Sequence, residues 1–162
     1  MAIPQSVASA AAAFAFNANL MERGFKNITE QQWLELPSGA NNNLLWIVGH
    51  IVWARSSAVR FLGSTWTRPW LGQFARAAKS EEGHTPPTVS EMIEAWVDSQ
   101  KSLAAAFENA SEEKLAEPLP PPPAQLPPSF DGKMSGVVIF LAHHEWYHLG
   151  QIAYVRRCLG CM

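Results

Sequence analysis

Charge is scarce in this chain: Asp, Glu, Lys and Arg make up only 16% of its 162 residues, twelve basic against fourteen acidic. No block of five or more basic residues occurs, so the concentrated positive face that displaces counterions from nucleic acid is missing. The same shortage argues against docking on an anionic membrane surface. No apolar run approaches the roughly 18 residues needed to span a bilayer. Cysteine is nearly absent. Cys158 and Cys161 alone make no disulfide framework, and a reducing cytoplasm is the expected location. Their C-x-x-C spacing closes a helix, where the dipole opposes a thiolate, whereas redox motifs of that spacing open one. Cys158 is therefore read as a small core residue. What the chain does have is apolar material, 48% of its residues. That is enough to bury a core, and the length fits one domain over residues 1–162.

Four long segments carry helical periodicity. The first runs from about Pro4 to Gly24, with Phe14, Leu20 and Met21 as its apolar stripe. Val7 to Phe16 is apolar, but no Lys or Arg precedes it, and Asn17, Asn19, Glu22 and Arg23 continue in helical phase. A first helix is expected here, not a signal peptide. A short stretch, Thr29 to Leu36, opens on the capping box of Thr29 and Gln32. The second long segment covers Asn41 to Leu62. There Trp46, Ile47, His50, Trp53, Ala54, Ser57 and Phe61 recur at steps of three and four. The third starts at the capping box of Thr88 and Glu91 and buries Met92, Trp96, Leu103 and Phe107. The fourth spans Ser135 to Leu159, with Gly160 as its stop and Val137, Phe140, Leu141, His144, His148, Ile152 and Val155 on one stripe. Period-two alternation is absent. The expected fold is all-α, a four-helix bundle. Two connections are long, Gly63 to Pro87 and the proline-rich Leu119 to Lys133, and they allow crossovers instead of a simple up-down order.

The histidines carry the chemistry. Residues four apart on a helix lie about 6 Å apart along the axis and about 40° apart around it, so His144 and His148 aim two imidazoles at one point. His50, in mid-helix on an apolar face, is placed to supply a third. A lone histidine on such a face is usually a core residue with a satisfied hydrogen bond. Three on two apolar faces need a common explanation, and a shared metal ion removes the cost of burying them. His143, turned about 100° from His144, is expected to face a neighbour or solvent. His84, in a polar loop, is read as a surface residue. Gln151, nearly on the face of His144, is a candidate for orienting an imidazole. Trp53, Trp146 and Tyr147 are expected to fill the core rather than wall a pocket.

His144-Glu145-Trp146-Tyr147-His148 also spells H-E-x-x-H, the zinc-protease motif. Those enzymes take a third ligand downstream, yet only fourteen residues follow His148 and none is His, Asp or Glu. Gln151 and Tyr154 stand where the extended motif has Gly and His. A protease is not expected. Glu145 remains a candidate general base toward a water beside the metal, against the plainer reading of a glutamate that faces solvent or packs on a helix.

The stretch from Leu141 to Gly160, with H-E-x-x-H and Gly150-Gln151-Ile152, resembles the C-terminal signature of the DinB superfamily. Asn43 to Ile51, around Gly49-His50, is similar to that family's other motif. The resemblance implies a four-helix bundle with a long crossover and a site for one divalent ion, zinc or nickel foremost, iron or manganese also, on His50, His144 and His148. It implies an enzyme of the thiol S-transferase or metal-dependent hydrolase kind, with a non-catalytic metal-binding or interaction bundle as the alternative. Expected partners are a small-molecule substrate, such as a low-molecular-weight thiol, and a second copy of the chain as a homodimer, with neither nucleic acid nor membrane.

Overall fold

Side-chain caps decide where the helices begin. In the computed structural model, which describes residues 2–75, 85–119 and 131–161, a single 3₁₀ turn, Gln5–Val7, leads into α1, Ala8–Gly24. The hydroxyl of Thr29 accepts from the backbone of Gln32, whose side chain answers the Thr29 N–H, and α2 follows as Glu30–Leu34. Asn43 caps α3, Leu44–Phe61, by accepting from the backbone N–H of Trp46 at 2.9 Å. The expected start at Asn41 is thus early by about a turn, because the Asn43 side chain takes the place of a helical partner and sets the first residue at Leu44. Thr88 and Glu91 form the second expected box at the head of α4, Val89–Asn109. Ser111 caps a short α5, Glu112–Ala116, which periodicity over so few residues does not announce. The last helix, α6, is Met134–Cys158, and Gly160 at φ 71° ends it in the conformation that glycine adopts without cost.

The all-α class is as expected, and no β-strand occurs among the described residues. The four long helices pack in a ring: α1 against α6, α6 against α3, α3 against α4, and α4 more lightly against α1. The chain's second long helix therefore lies across the core from the first. One half of the interior is built on Met21, Ile51, Val52, Met92 and Trp96, the other on Phe14, Ala58, Leu103, Phe107 and Val138. The helix α6 sits between α1 and α3. No helix among the described residues is long and apolar enough to cross a membrane.

Several residues fall elsewhere than expected. Trp146 and Tyr147 are exposed, 52% and 64%, and do not fill the core. On α6 they stand on the side turned away from the apolar stripe. Trp146 stacks on Phe16 of α1 at 5.7 Å between ring centroids, beside a groove of about 540 Å³ lined by Leu20, Arg23, Leu149, Ala153 and Arg157. Cys158 is exposed, not the small core residue expected, and Cys161 is buried, because the chain folds back after Gly160 and tucks residue 161 against the bundle. The polar connection after α3 is not featureless: Leu71–Phe74 forms a 3₁₀ turn whose Leu71 and Phe74 are buried. The prolines from Pro120 to Pro128 and the loop histidine His84 lie outside the described residues.

Candidate metal centre

The three histidines that periodicity selects come together. His50 of α3 and His144 and His148 of α6 each turn a ring nitrogen inward, and these atoms lie within 4.8 Å of one another. The Nε2 atom of His144 is 3.2 Å from that of His50 and 3.0 Å from that of His148. Nitrogens bound about 2.0–2.1 Å from one ion, at angles between octahedral and tetrahedral, stand roughly 2.9–3.4 Å apart. Both separations from His144 fall in that range.

The far side of two rings shows why the inner side suits a cation. The Nδ1–H of His50 donates to the carbonyl oxygen of Phe74 at 2.6 Å. A carbonyl only accepts, so the proton of the neutral ring is on Nδ1 and the lone pair is on Nε2. The Nδ1–H of His148 donates likewise to Oε1 of Gln151 at 2.7 Å, and the amide nitrogen of Gln151 donates to the Tyr147 hydroxyl at 3.3 Å. Two lone pairs thus point at Nε2 of His144. One proton there can face only one of them squarely, whereas an ion at the centre faces all three. Hydrogen bonds that fix the tautomer in this way are the usual companions of ligating histidines.

Packing holds the rings in place. His50 lies between Trp46 and Trp53, one turn before and one after it, at 5.1 Å and 5.4 Å and nearly parallel to both. Trp53 therefore contacts the site, and is half-buried. Phe140 leans on His144 at 5.8 Å, and Tyr147 meets His148 edge-on at 5.2 Å. His50 and His148 are buried, and His144 is half-buried, the most exposed of the three. His143 is exposed, as expected.

The carboxylate of Glu145 is not brought to the cluster. Rotated about 100° from His144, it is 1% exposed and engaged by Arg55 through two hydrogen bonds of 2.6 Å and 2.8 Å. This corrects the general-base reading: a carboxylate held on both oxygens inside the core does not reach a water beside the histidines. Of the plainer alternative, a glutamate that faces solvent or packs on a helix, the structure shows the packed form. Two contributors were missed by sequence reasoning, Arg55 and the Phe74 carbonyl. Gly49 is the trace of the second, since a Cβ there would overlap the Phe74 ring.

Burial holds the imidazole of His148 below its ordinary pKa of 6.5; the Gln151 hydrogen bond opposes this, and the neighbouring His50 adds to it. The unfolded chain therefore takes up this proton first on acidification. The stabilisation is complete above about pH 6.5 and is lost as pH falls through the lowered native value. Metal-free protein is expected to melt at progressively lower temperature from about pH 6.5 downward. A His148→Gln variant, melted over the same range, should show a shallower slope; an unchanged slope would refute the assignment.

No curated protein matches the chain. The family model of the DinB superfamily matches residues 13–152, a span that contains all three histidines.

Proposed function

The chain belongs to the DinB superfamily, and from that premise we propose that it is a divalent-metal-dependent enzyme that transfers a low-molecular-weight thiol to a small electrophile. The observation that carries the reading is a cluster of three imidazoles with no carboxylate in it: among the described residues the group holds His50, His144 and His148 only. When bound there, a divalent ion supplies Lewis acidity at an open position and lowers the pKa of a thiol or water. A free thiol starts at a pKa of about 8.5 and needs no further base. Water starts far less acidic than a thiol and gains from a positioned carboxylate, which Arg55 withholds. Hydrolysis is therefore the second reading. In the transfer, the thiol sulfur bonds to the electrophilic carbon, the leaving group departs with its bonding pair, and the thiol proton passes to solvent. Neutral imidazoles suit zinc and nickel, and iron or manganese less. The half-buried Trp46, Trp53 and Phe140 offer an apolar wall for the electrophile. Two free cysteines are compatible with a reducing, cytoplasmic setting.

Protein purified without an affinity tag is expected to carry about one divalent ion per chain and to consume thiol in the presence of a reactive electrophile only while the ion is bound. Failure to take up zinc or nickel on titration would overturn the metal-dependent reading. Ester or amide cleavage that proceeds at full rate without thiol would replace transfer by hydrolysis.

A further inference from the structure

The four long helices meet at a charged pair. Nε and Nη2 of Arg55, on α3, donate to Oε2 and Oε1 of Glu145, on α6, and both side chains are 1% exposed. The guanidinium lies 3.8 Å from the ring centroid of Trp96, on α4, and 5.7 Å from that of Phe14, on α1. Each long helix thus gives one residue to this node. Stability alone does not account for it. Desolvating two charges costs about what their attraction returns, and well-packed apolar replacements are often neutral or stabilising.

What the pair does supply is geometry. A two-pronged contact between a planar guanidinium and a carboxylate admits one axial position and one rotation of α6 against α3. Its two members stand beside the metal ligands: Glu145 follows His144 directly, and Arg55 comes five residues after His50. A second tie acts on the same stretch of α6, where the side-chain amide of buried Asn17 donates to the carbonyl oxygen of Ala142 at 3.1 Å. A slip of α6 by one residue would turn it by about 100° and carry both of its imidazoles away from His50.

We propose that Arg55 and Glu145 are positioning residues that lock the register of α6 against α3 and so assemble the three imidazoles before an ion arrives. The proposal rests on the metal-site reading, and its test separates the two. The full-length Arg55→Met/Glu145→Leu variant replaces the pair by apolar side chains. Three quantities are measured: the melting temperature, the imidazole nitrogen resonances of the metal-free protein, and the affinity for zinc alone by chelator competition. The melting temperature should stay at or above that of the parent. The metal-free imidazole resonances should broaden or multiply, and zinc affinity should fall by about ten- to a hundredfold, the range for lost support of metal ligands. A merely structural role predicts unchanged affinity at unchanged stability, and parental affinity with a parental imidazole spectrum would overturn the proposal. If the parent takes up no zinc, the metal reading fails, and the metal-free imidazole spectra still decide the register question. Should the double variant not fold, Arg55→Lys keeps the charge and loses the fork. The same weakening is then expected, and undiminished affinity overturns the proposal.

Discussion

Replacing His144 by alanine is expected to lower metal affinity by on the order of a hundredfold and to abolish stoichiometric loading at micromolar metal. Structural sites with four ligands bind zinc with an apparent free energy of about 10–16 kcal/mol, so one ligand accounts for roughly 3 kcal/mol. His144 is the hub of the cluster, since both other Nε2 atoms approach its own. His50→Ala and His148→Ala should act in the same direction. His143→Ala, one residue away but exposed, should not, and neither should His84→Ala. Metal analysis of tag-free protein reads all five. Full stoichiometry in His50→Ala would refute a site shared by α3 and α6. Heat offers an independent check. Metal at a hundred times its Kd stabilises the native state by about 2.7 kcal/mol, or roughly 5–10 °C for a chain of this size. A chelator should remove that increment from the parent while the bundle stays folded, and should leave the melting temperature of His144→Ala unchanged.

Gly49→Ala is expected to injure the site without touching a ligand. A Cβ at position 49 would fall on the Phe74 ring, which is itself buried. Overpacking of this kind costs about 1–3 kcal/mol. The ring can yield only by shifting the 3₁₀ turn that carries it, and that turn supplies the carbonyl to which Nδ1 of His50 donates. Without this partner the ring is free to change tautomer and to turn its lone pair away. Loss of such a hydrogen bond costs about ten- to a hundredfold in metal affinity. Gly49→Ala/Phe74→Leu removes the colliding ring and keeps the backbone carbonyl, so it should recover most of the affinity. Competition titrations of the two variants decide the matter: a Gly49→Ala protein with parental affinity, or a double variant no better than the single, would sink the argument.

The parts of this molecule that were readable beforehand are those encoded within a few residues. The capping boxes at Thr29 and Thr88 are local, and the structure reproduces both. The pairing of His144 with His148 follows from helix geometry. His50 was placed on the right face by periodicity alone, and Gln151 was correctly put near an imidazole. What escaped was encoded at long range or in the main chain. Arg55 and Glu145 are ninety positions apart, and nothing in either neighbourhood names the other. Arg55 carries no mark of a partner on α6, and the H-E-x-x-H spelling makes Glu145 a candidate at the metal that its own rotation on the helix contradicts. The Phe74 carbonyl has no side-chain signature at all. Trp146 and Tyr147 went wrong for a different reason: aromatic rings carry a strong expectation of burial, but α6 has more apolar faces than the bundle has places for.

The bridge at the foot of the bundle has a consequence for how this chain can vary. Pro118 and Lys133 pair, the N–H of Leu119 donates to the Gly132 carbonyl at 2.7 Å, and that of Met134 to the Glu117 carbonyl at 3.1 Å. The backbone thus leaves α5 and re-enters α6 through a clasp of a few ångströms. Helix placement is settled at the clasp, whatever runs between its two ends. Closing a longer interval onto such a clasp costs only about 0.6 kcal/mol for each doubling of its length. Related sequences can therefore differ in length between the two ends of the clasp without disturbing the histidines.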